Sequence, residues 1–311
     1  MILYIFNPEH DLCLANGDPN YVPPASALQF AVQGKGLMRI LYGDEGYVVA
    51  ADELQQWKHD HPNEQVSMVI AWGWDRRVWN MLLKNNIHPT LHPLPYDEDL
   101  KLIRFFQHRG SLISLQPHAH EARSVEAIES MLRTEHRMVL KAPLSGSGRG
   151  LRWVDNALSE HDRQWIQKVV AQQGSVIVER RIDVALNFAY EYYVTEDKVE
   201  LTGLSLFENQ SGVYRHNVLL PDYEIRNLVG PTHSIEERIM EWLRINIQTW
   251  YEGPLGIDMM RDRDGNFFVG EMNLRHTMGM VAHHFLQQHP ERRGSLFTPT
   301  DLFTKPIDTT Y

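Results

Sequence analysis

The chain has 311 residues, 43% of them hydrophobic and 23% charged, with 30 Lys and Arg against 40 Asp and Glu for a net charge of −10. That is enough apolar sequence for a full core in two or three lobes, and the acidic balance argues against a protein that grips nucleic acid through a basic face. No apolar run nears the ~20 residues of a membrane span. Residues 1–7 lack the charge and length of a secretory signal, and the lone Cys13 has no internal disulfide partner, so a cytoplasmic protein with no membrane contact is expected.

In chain order, strand-like runs fall at 2–6, 39–41 and 67–72, with helical patterns at 25–33 and 52–59. They predict an N-terminal α/β lobe over residues 1–95, closed by the Pro-rich stretch 88–95. The loop after the first strand opens Asn7-Pro8-Glu9-His10-Asp11. Open α/β sheets bind ligands at the carboxyl ends of their strands, which makes Asn7, Glu9 and His10 candidate substrate contacts; a loop that merely caps the next helix has the same composition. Helices are expected at 98–107 and 121–133, the second beginning at Pro117-His118-Ala119-His120-Glu121.

A short apolar strand then ends in Lys141 and runs into a small-residue loop, Ala142-Pro143-Leu144-Ser145-Gly146-Ser147-Gly148-Arg149-Gly150. Glycines permit close backbone approach, and successive N–H groups with a lysine can wrap phosphate oxygens. The loop is not a Walker A motif, because no Gly-Lys-Ser/Thr follows the glycines. After a helix at 157–172, the strand 175–182 carries Glu179, Arg180 and Ile182 at its end. Long strands are expected at 187–195 and 199–205, and a helix at 234–250.

Residues 256–275 read as a hairpin: a strand reaching Asp258, the turn Asp262-Arg263-Asp264-Gly265-Asn266, and a return strand through Glu271-Met272-Asn273-Leu274-Arg275. Glu271, Asn273 and Arg275 are spaced by two and share a strand face. Two carboxylates and an amide oxygen are hard ligands suited to magnesium shared with phosphates. A surface hairpin with solvated charges has the same pattern. Past it, His283 and His284 are adjacent and diverge on a helix, which favours packing over metal binding. Arg215 is a candidate for a substrate carboxylate.

Taken in order, the lysine strand with its glycine-rich loop, the strand ending in Glu179, and the acid followed by Glu-x-Asn resemble the ATP-grasp superfamily, in particular its carboxylate–amine ligase-like members. The resemblance covers roughly the C-terminal two thirds. It implies an α/β and α+β protein in which the N-terminal α/β lobe (1–95) is followed by a two-subdomain ATP-grasp fold. The small subdomain (96–183) would carry the glycine-rich lid, and the large one (184–311) the magnesium site. It further implies that Lys141 contacts the phosphates of ATP and that Ser145, Gly146, Ser147, Gly148 and Gly150 close over them. Glu179, Arg180 and Ile182 would edge the adenine, and Asp258, Glu271 and Asn273 would hold Mg2+. Arg275 would steady the transferred phosphoryl group, with Lys141 as the second catalytic cation. Lys101 is the candidate for a further nucleotide-binding lysine; a solvated helix lysine is the other reading. The family's ribose glutamate is missing, which leaves Asn187 or Asp183. The implied reaction is an ADP-forming ligation of a small-molecule carboxylate to an amine through an acyl phosphate. A kinase acting on a hydroxyl and a non-catalytic nucleotide-binding protein are the alternatives, and a homodimer is compatible with the resemblance.

Overall fold

A computed structural model describes residues 1–146, 150–210 and 212–299. Its first sheet is parallel, in the order β2-β1-β3, from β1 (Ile2–Phe6), β2 (Tyr47–Ala50) and β3 (Met68–Ala71). Helices α1 (His10–Asn16), α2 (Ala25–Gly34), α3 (Leu37–Tyr42), α4 (Leu54–Asp60) and α5 (Arg76–Lys84) surround it. The predicted strand at 39–41 lies within α3: Leu37, Met38 and Ile40 are buried and pack with Tyr4 and Phe6. A short apolar run has no decisive period, and the flanking Gly36 and Gly43 bound one helical segment. Helix α5 escaped the sequence reading although Asp75 caps it, accepting from the Val78 N–H at 2.9 Å.

The second sheet, in the order β4-β7-β5-β6, is antiparallel and comprises β4 (Ala119–Ala122), β5 (Arg137–Lys141), β6 (Leu151–Asp155) and β7 (Val176–Arg180). Helix α6 (Asp97–Gln107) and a 3-10 segment (Arg109–Leu115) lead into it. Met138, Leu140, Val176 and Val178 face α7 (Val125–Leu132) and α8 (Glu160–Gln173), forming one core. The helix expected at 121–133 is therefore split: residues through Ala122 pair with β7, and Ser124 caps α7. The His118–Glu121 stretch, read as a helix start, is largely strand.

The third sheet, β12-β11-β8-β9-β10-β13, is also antiparallel. Its strands are β8 (Val184–Val194), β9 (Val199–Gln210), β10 (Val213–Val218), β11 (Gly253–Asp262), β12 (Phe267–Asn273) and the short β13 (Leu296–Phe297). Strand alternation gives the sheet two characters. Phe188, Tyr190 and Tyr192 bury one face in a core with residues of α9 (Asp222–Val229) and α10 (His233–Asn246). Ala189 and Glu191 look the other way and line a cavity. The β11–β12 turn needs Gly265 at φ +88°, a left-handed conformation that disfavours other residues. Among the described residues, no helix is long and apolar enough to cross a membrane.

The last helix, α11 (Met278–Gln288), closes the structure on the first sheet: Val281, Ala282, Phe285 and Leu286 pack with Phe6, Met38 and Trp72. His276 fixes the approach. Its backbone N–H donates to the Trp72 carbonyl at 2.9 Å, and its Nδ1 lies 3.0 Å from the same oxygen. A carbonyl only accepts, so Nδ1 carries the proton and Nε2 accepts from the Tyr42 hydroxyl at 2.6 Å. The ring is neutral, and burial holds its pKa down at about 4.

This sets a pH dependence. Below pH ~6.5 the unfolded histidine takes up a proton that the folded one refuses until about pH 4, so stability falls as pH drops through that window. The loss should reach about 3 kcal/mol. Urea unfolding of wild type and His276→Gln at pH 7 and pH 4.5 checks it: the variant should be less stable at pH 7 and lose less on acidification.

Candidate functional site

The β11–β12 hairpin brings the predicted magnesium residues together. Gly256 pairs with Asn273 and Met259 with Val269, with a bulge between that re-aims Asp258 and Glu271. Asp258, Glu271, Asn273 and Arg275 all line one cavity of about 460 Å³. Burial drives the Asp258 carboxyl well above the usual carboxylate range; the nearby Glu271 and Glu191 push it further, against the pull of Arg275 and Arg109. The Asn273 amide lies between two partners, its Oδ1 accepting from Arg275 at 2.8 Å and its Nδ2 lying 3.5 Å from Asp258 Oδ1.

Two arginines hold Asp11 and Glu271. Arg275 forks onto Asp11, with Nε and Nη2 donating at 3.1 and 3.0 Å. Asp11 belongs to α1, so this pair ties the hairpin to the first lobe. Burial alone would raise the Asp11 pKa, but Arg275, assisted by His10 and Arg109, holds it below its ordinary value. Arg109, at the start of the 3-10 segment, is buried. It donates to the Ala142 carbonyl at 2.6 Å, to Ser145 Oγ at 2.7 Å and to the Ser145 carbonyl at 3.2 Å, and it pairs with Glu271. It thus clamps the glycine-rich loop to the return strand. Gly146 lines the cavity, and Gly150 closes the loop by accepting from the Ala142 N–H at 2.8 Å. Ser147 and Gly148 lie outside the described residues.

Lys141 and Glu179 form an ion pair of 2.6 Å on adjacent strands of the small sheet, with Glu179 buried. The second carboxylate oxygen of Glu179, Oε1, is buried and without a hydrogen-bond partner. Arg180 is exposed at the strand end, and Ile182 follows in the link to β8. Asn187 shares the face of Ala189 and Glu191 by alternation. Neither Lys141 nor Glu179 lines the 460 Å³ cavity.

Other expected residues stand elsewhere. Lys101 is on the exposed face of α6, paired with Asp97 at 3.0 Å and Glu98 at 2.6 Å, and lines a different cavity from Asp258. Asn7 and His10 are fully buried: Asn7 donates to the Gly73 carbonyl at 2.8 Å, and His10 Nδ1 lies 3.3 Å from Asp75. Glu9 does line the cavity, although its Oε1 accepts from Arg77 at 2.9 Å. Arg215 is exposed and bonds Gln210 on its own hairpin. His283 lies 3.4 Å from Asp222, and His284 Nδ1 2.9 Å from the Met280 carbonyl, which is a packing arrangement.

Three side chains of this site went unassigned in the sequence. Asp11 sat within a loop already singled out. Arg109 had no local signal, because its partner Glu271 is 162 residues away. Glu191 had one: a lone acid among the aromatics of Phe188-Ala189-Tyr190-Glu191-Tyr192-Tyr193. It is 1% exposed, and its two oxygens accept from the Ser205 and Thr277 hydroxyls at 2.8 Å each.

The chain has the ATP-grasp fold, as comparison with solved structures shows. N5-carboxyaminoimidazole synthetase from Staphylococcus aureus, complexed with ADP, superposes with a TM-score of 0.54 at 12% identity, over 92% of this chain and 76% of that one. Biotin carboxylase from Campylobacter jejuni, as its β-γ-ATP complex, gives 0.55 at 13% identity, over 92% and 67%. The N5-carboxyaminoimidazole synthase of Aspergillus clavatus, with ADP and 5-aminoimidazole ribonucleotide, gives 0.50 at 12% identity, over 92% and 75%. No family model matches the sequence, and no curated protein does.

Replacing Arg109 by Met should loosen the loop and leave Glu271 without its cation. Because Glu271 keeps some solvent, the cost should be about 1–3 kcal/mol, below that of a fully buried pair. Denaturant unfolding with amide exchange at residues 142, 144–146 and 150 reads both effects; unchanged exchange there would show that Arg109 is no clamp.

Proposed function

We propose that the protein is an ATP- and magnesium-dependent ligase that joins a carboxylate to an amine through an acyl phosphate, releasing ADP and phosphate. The observation that carries this reading is the composition of one cavity. Asp258, Glu271 and Asn273 line it beside Gly146 of the glycine-rich loop, while Glu9, Phe30 and Trp72 of the first lobe complete its wall. Groups suited to phosphate chemistry thus share a space with room for a second substrate. The solved structures with ADP or ATP that share the fold support a nucleotide reading, and the synthetase and carboxylase names among them support a ligase.

The donor set fits magnesium. It is two carboxylates and an amide oxygen, and Asp258 is a half-buried carboxylate with no arginine directly upon it among the described residues, which a divalent cation would offset. Asp258, Glu271 and Asn273 would hold the ion, which would supply charge neutralisation for the phosphates. The Asn273 amide must turn its oxygen inward for this, an assignment that its hydrogen-bond partners decide.

The protein's own groups do the rest. Lys141 would leave or share Glu179 to meet phosphate oxygens, and the unpartnered Glu179 Oε1 would accept from the adenine amino group. The substrate carboxylate would attack the γ-phosphorus as ADP departs; the amine would then attack the acyl carbon, expelling phosphate and losing a proton. Arg275, held in the cavity by Asp11 and Asn273, would stabilise charge on the transferred group. The loop from Ser145 to Gly150 would exclude water from the acyl phosphate. Catalysis is alignment and neutralisation, without a protein nucleophile.

Glu271→Gln should stay folded, with a lowered melting temperature from the lost Arg109 pair, and should lower turnover roughly a hundred-fold or more at a temperature where it remains native; wild-type turnover would remove Glu271 from the metal site. Lys141→Ala should weaken Mg-ADP binding about ten-fold or more, read by calorimetry. Mass spectrometry of a metabolite mixture incubated with Mg-ATP tests the reaction class. Two metabolites joined with loss of water, with free phosphate, is the expected product; a phosphorylated metabolite would make the enzyme a kinase.

A further inference from the structure

We infer that the acceptor half of the cavity binds a primary ammonium carried on an apolar, ring-bearing body, with Glu191 as its anchor; this rests on the ligase reading and names the amine's chemical class. Strand order separates the cavity into two regions. Asp258 and Glu271 stand on β11 and β12, whereas Glu191 is on β8, Phe207 on β9 and Tyr214 on β10. The second region begins at Glu191, on the strand adjoining that of Asp258, and extends from there toward β10, away from Glu271.

The cavity wall carries more acids than bases, with Glu9 and Glu271 paired from behind by Arg77 and Arg109. Glu9, Asp11, Glu191, Asp258 and Glu271 line the cavity, and Arg275 is the one Lys, Arg or His that does so among the described residues. Arg275 is committed to Asp11. Glu191 is buried with hydroxyls on each oxygen and no cation bonded to it among the described residues. A buried carboxylate in that position is costly until a positive charge joins it. Each of its oxygens keeps a second acceptor site beside the hydroxyl it already receives.

A second, independent observation comes from the opposite wall. Glu9 is 2% exposed and lines the same cavity, yet its Oε2 has no hydrogen-bond partner. An unpartnered buried oxygen on a residue of the cavity wall suits an N–H donor on a guest that enters against it. Between these acids the walls are apolar and aromatic: Phe6, Phe30, Trp72, Phe207 and Met278. Aromatic faces attract an ammonium as well as an apolar body. A volume of about 460 Å³ is of small-metabolite size. Nothing in this region offers a substrate carboxylate a free cation, so the carboxylate partner belongs toward Arg275 and the amine toward Glu191.

The test is calorimetric titration of the whole chain with 2-phenylethylamine and with 3-phenylpropanoate, which match in shape and differ in charge, and separately with Mg-ADP. The amine should bind more tightly than the carboxylate. Glu191→Gln, which keeps the shape and the hydroxyl contacts, should weaken the amine roughly ten- to hundred-fold. Should that variant not fold, Phe207→Ala should weaken the amine through loss of the aromatic wall. Binding of neither probe, preference for the carboxylate, or an undiminished amine affinity in a folded Glu191→Gln each overturns the inference. The Mg-ADP arm separates the two readings. A protein that takes the amine but not Mg-ADP keeps the ammonium site and loses the ligase; one that takes Mg-ADP but not the amine does the reverse.

Discussion

Carboxylates crowd the cleft, and two arginines make that crowd tolerable. Arg109 and Arg275 approach from opposite directions, one from the segment before the small sheet and one from the end of the return strand. At cleft distances, like charges in a medium of low effective dielectric repel by several kcal/mol. Pairing Glu271 with Arg109 and Asp11 with Arg275 offsets much of that repulsion. The same pairs are mechanical joints. One links loop to metal strand, the other links the metal strand to the first lobe. The position of the loop, the orientation of Asn273 and the closure of the cavity all depend on these two guanidinium groups.

Asp258 has no such arginine bonded to it, and burial, with Glu271 and Glu191 nearby, displaces its pKa upward. The asymmetry has chemical meaning. A site in which every acid were neutralised by the protein would have little reason to take up a divalent ion, whereas one bare acid beside two restrained ligands retains a specific electrostatic deficit. Glu191 repeats the pattern three strands from the edge, in surroundings that are hydroxyl-rich and aromatic.

The parts legible in the sequence were those whose chemistry is local. The turn from Asp262 to Asn266, the face shared by Glu271 and Asn273, and the lysine at a strand end all follow from spacing along one segment. The illegible parts join remote segments. Arg109 has meaning only once β12 lies beside it, and Asp11 only once Arg275 reaches α1. Local period also failed where runs were short: residues 37–42 are apolar at almost every position, so only packing against α11 decides for helix. Lys101 shows the converse, a residue whose type and sequence position suit a nucleotide contact but whose side chain is taken by neighbours on its own helix.

Helix α11 has a consequence for how the molecule comes to exist. Its apolar face, Val281, Ala282, Phe285 and Leu286, is a wall of the core that holds Tyr4, Phe6, Met38 and Trp72. The lobe built on the first sheet therefore lacks one side of its interior until α11 has been synthesised. At about 5–20 residues per second, the wait from β3 to α11 is on the order of ten to forty seconds. Through that interval a short parallel sheet stands with aromatic surface uncovered, so this lobe reaches its native packing only after a segment far along the chain has joined it.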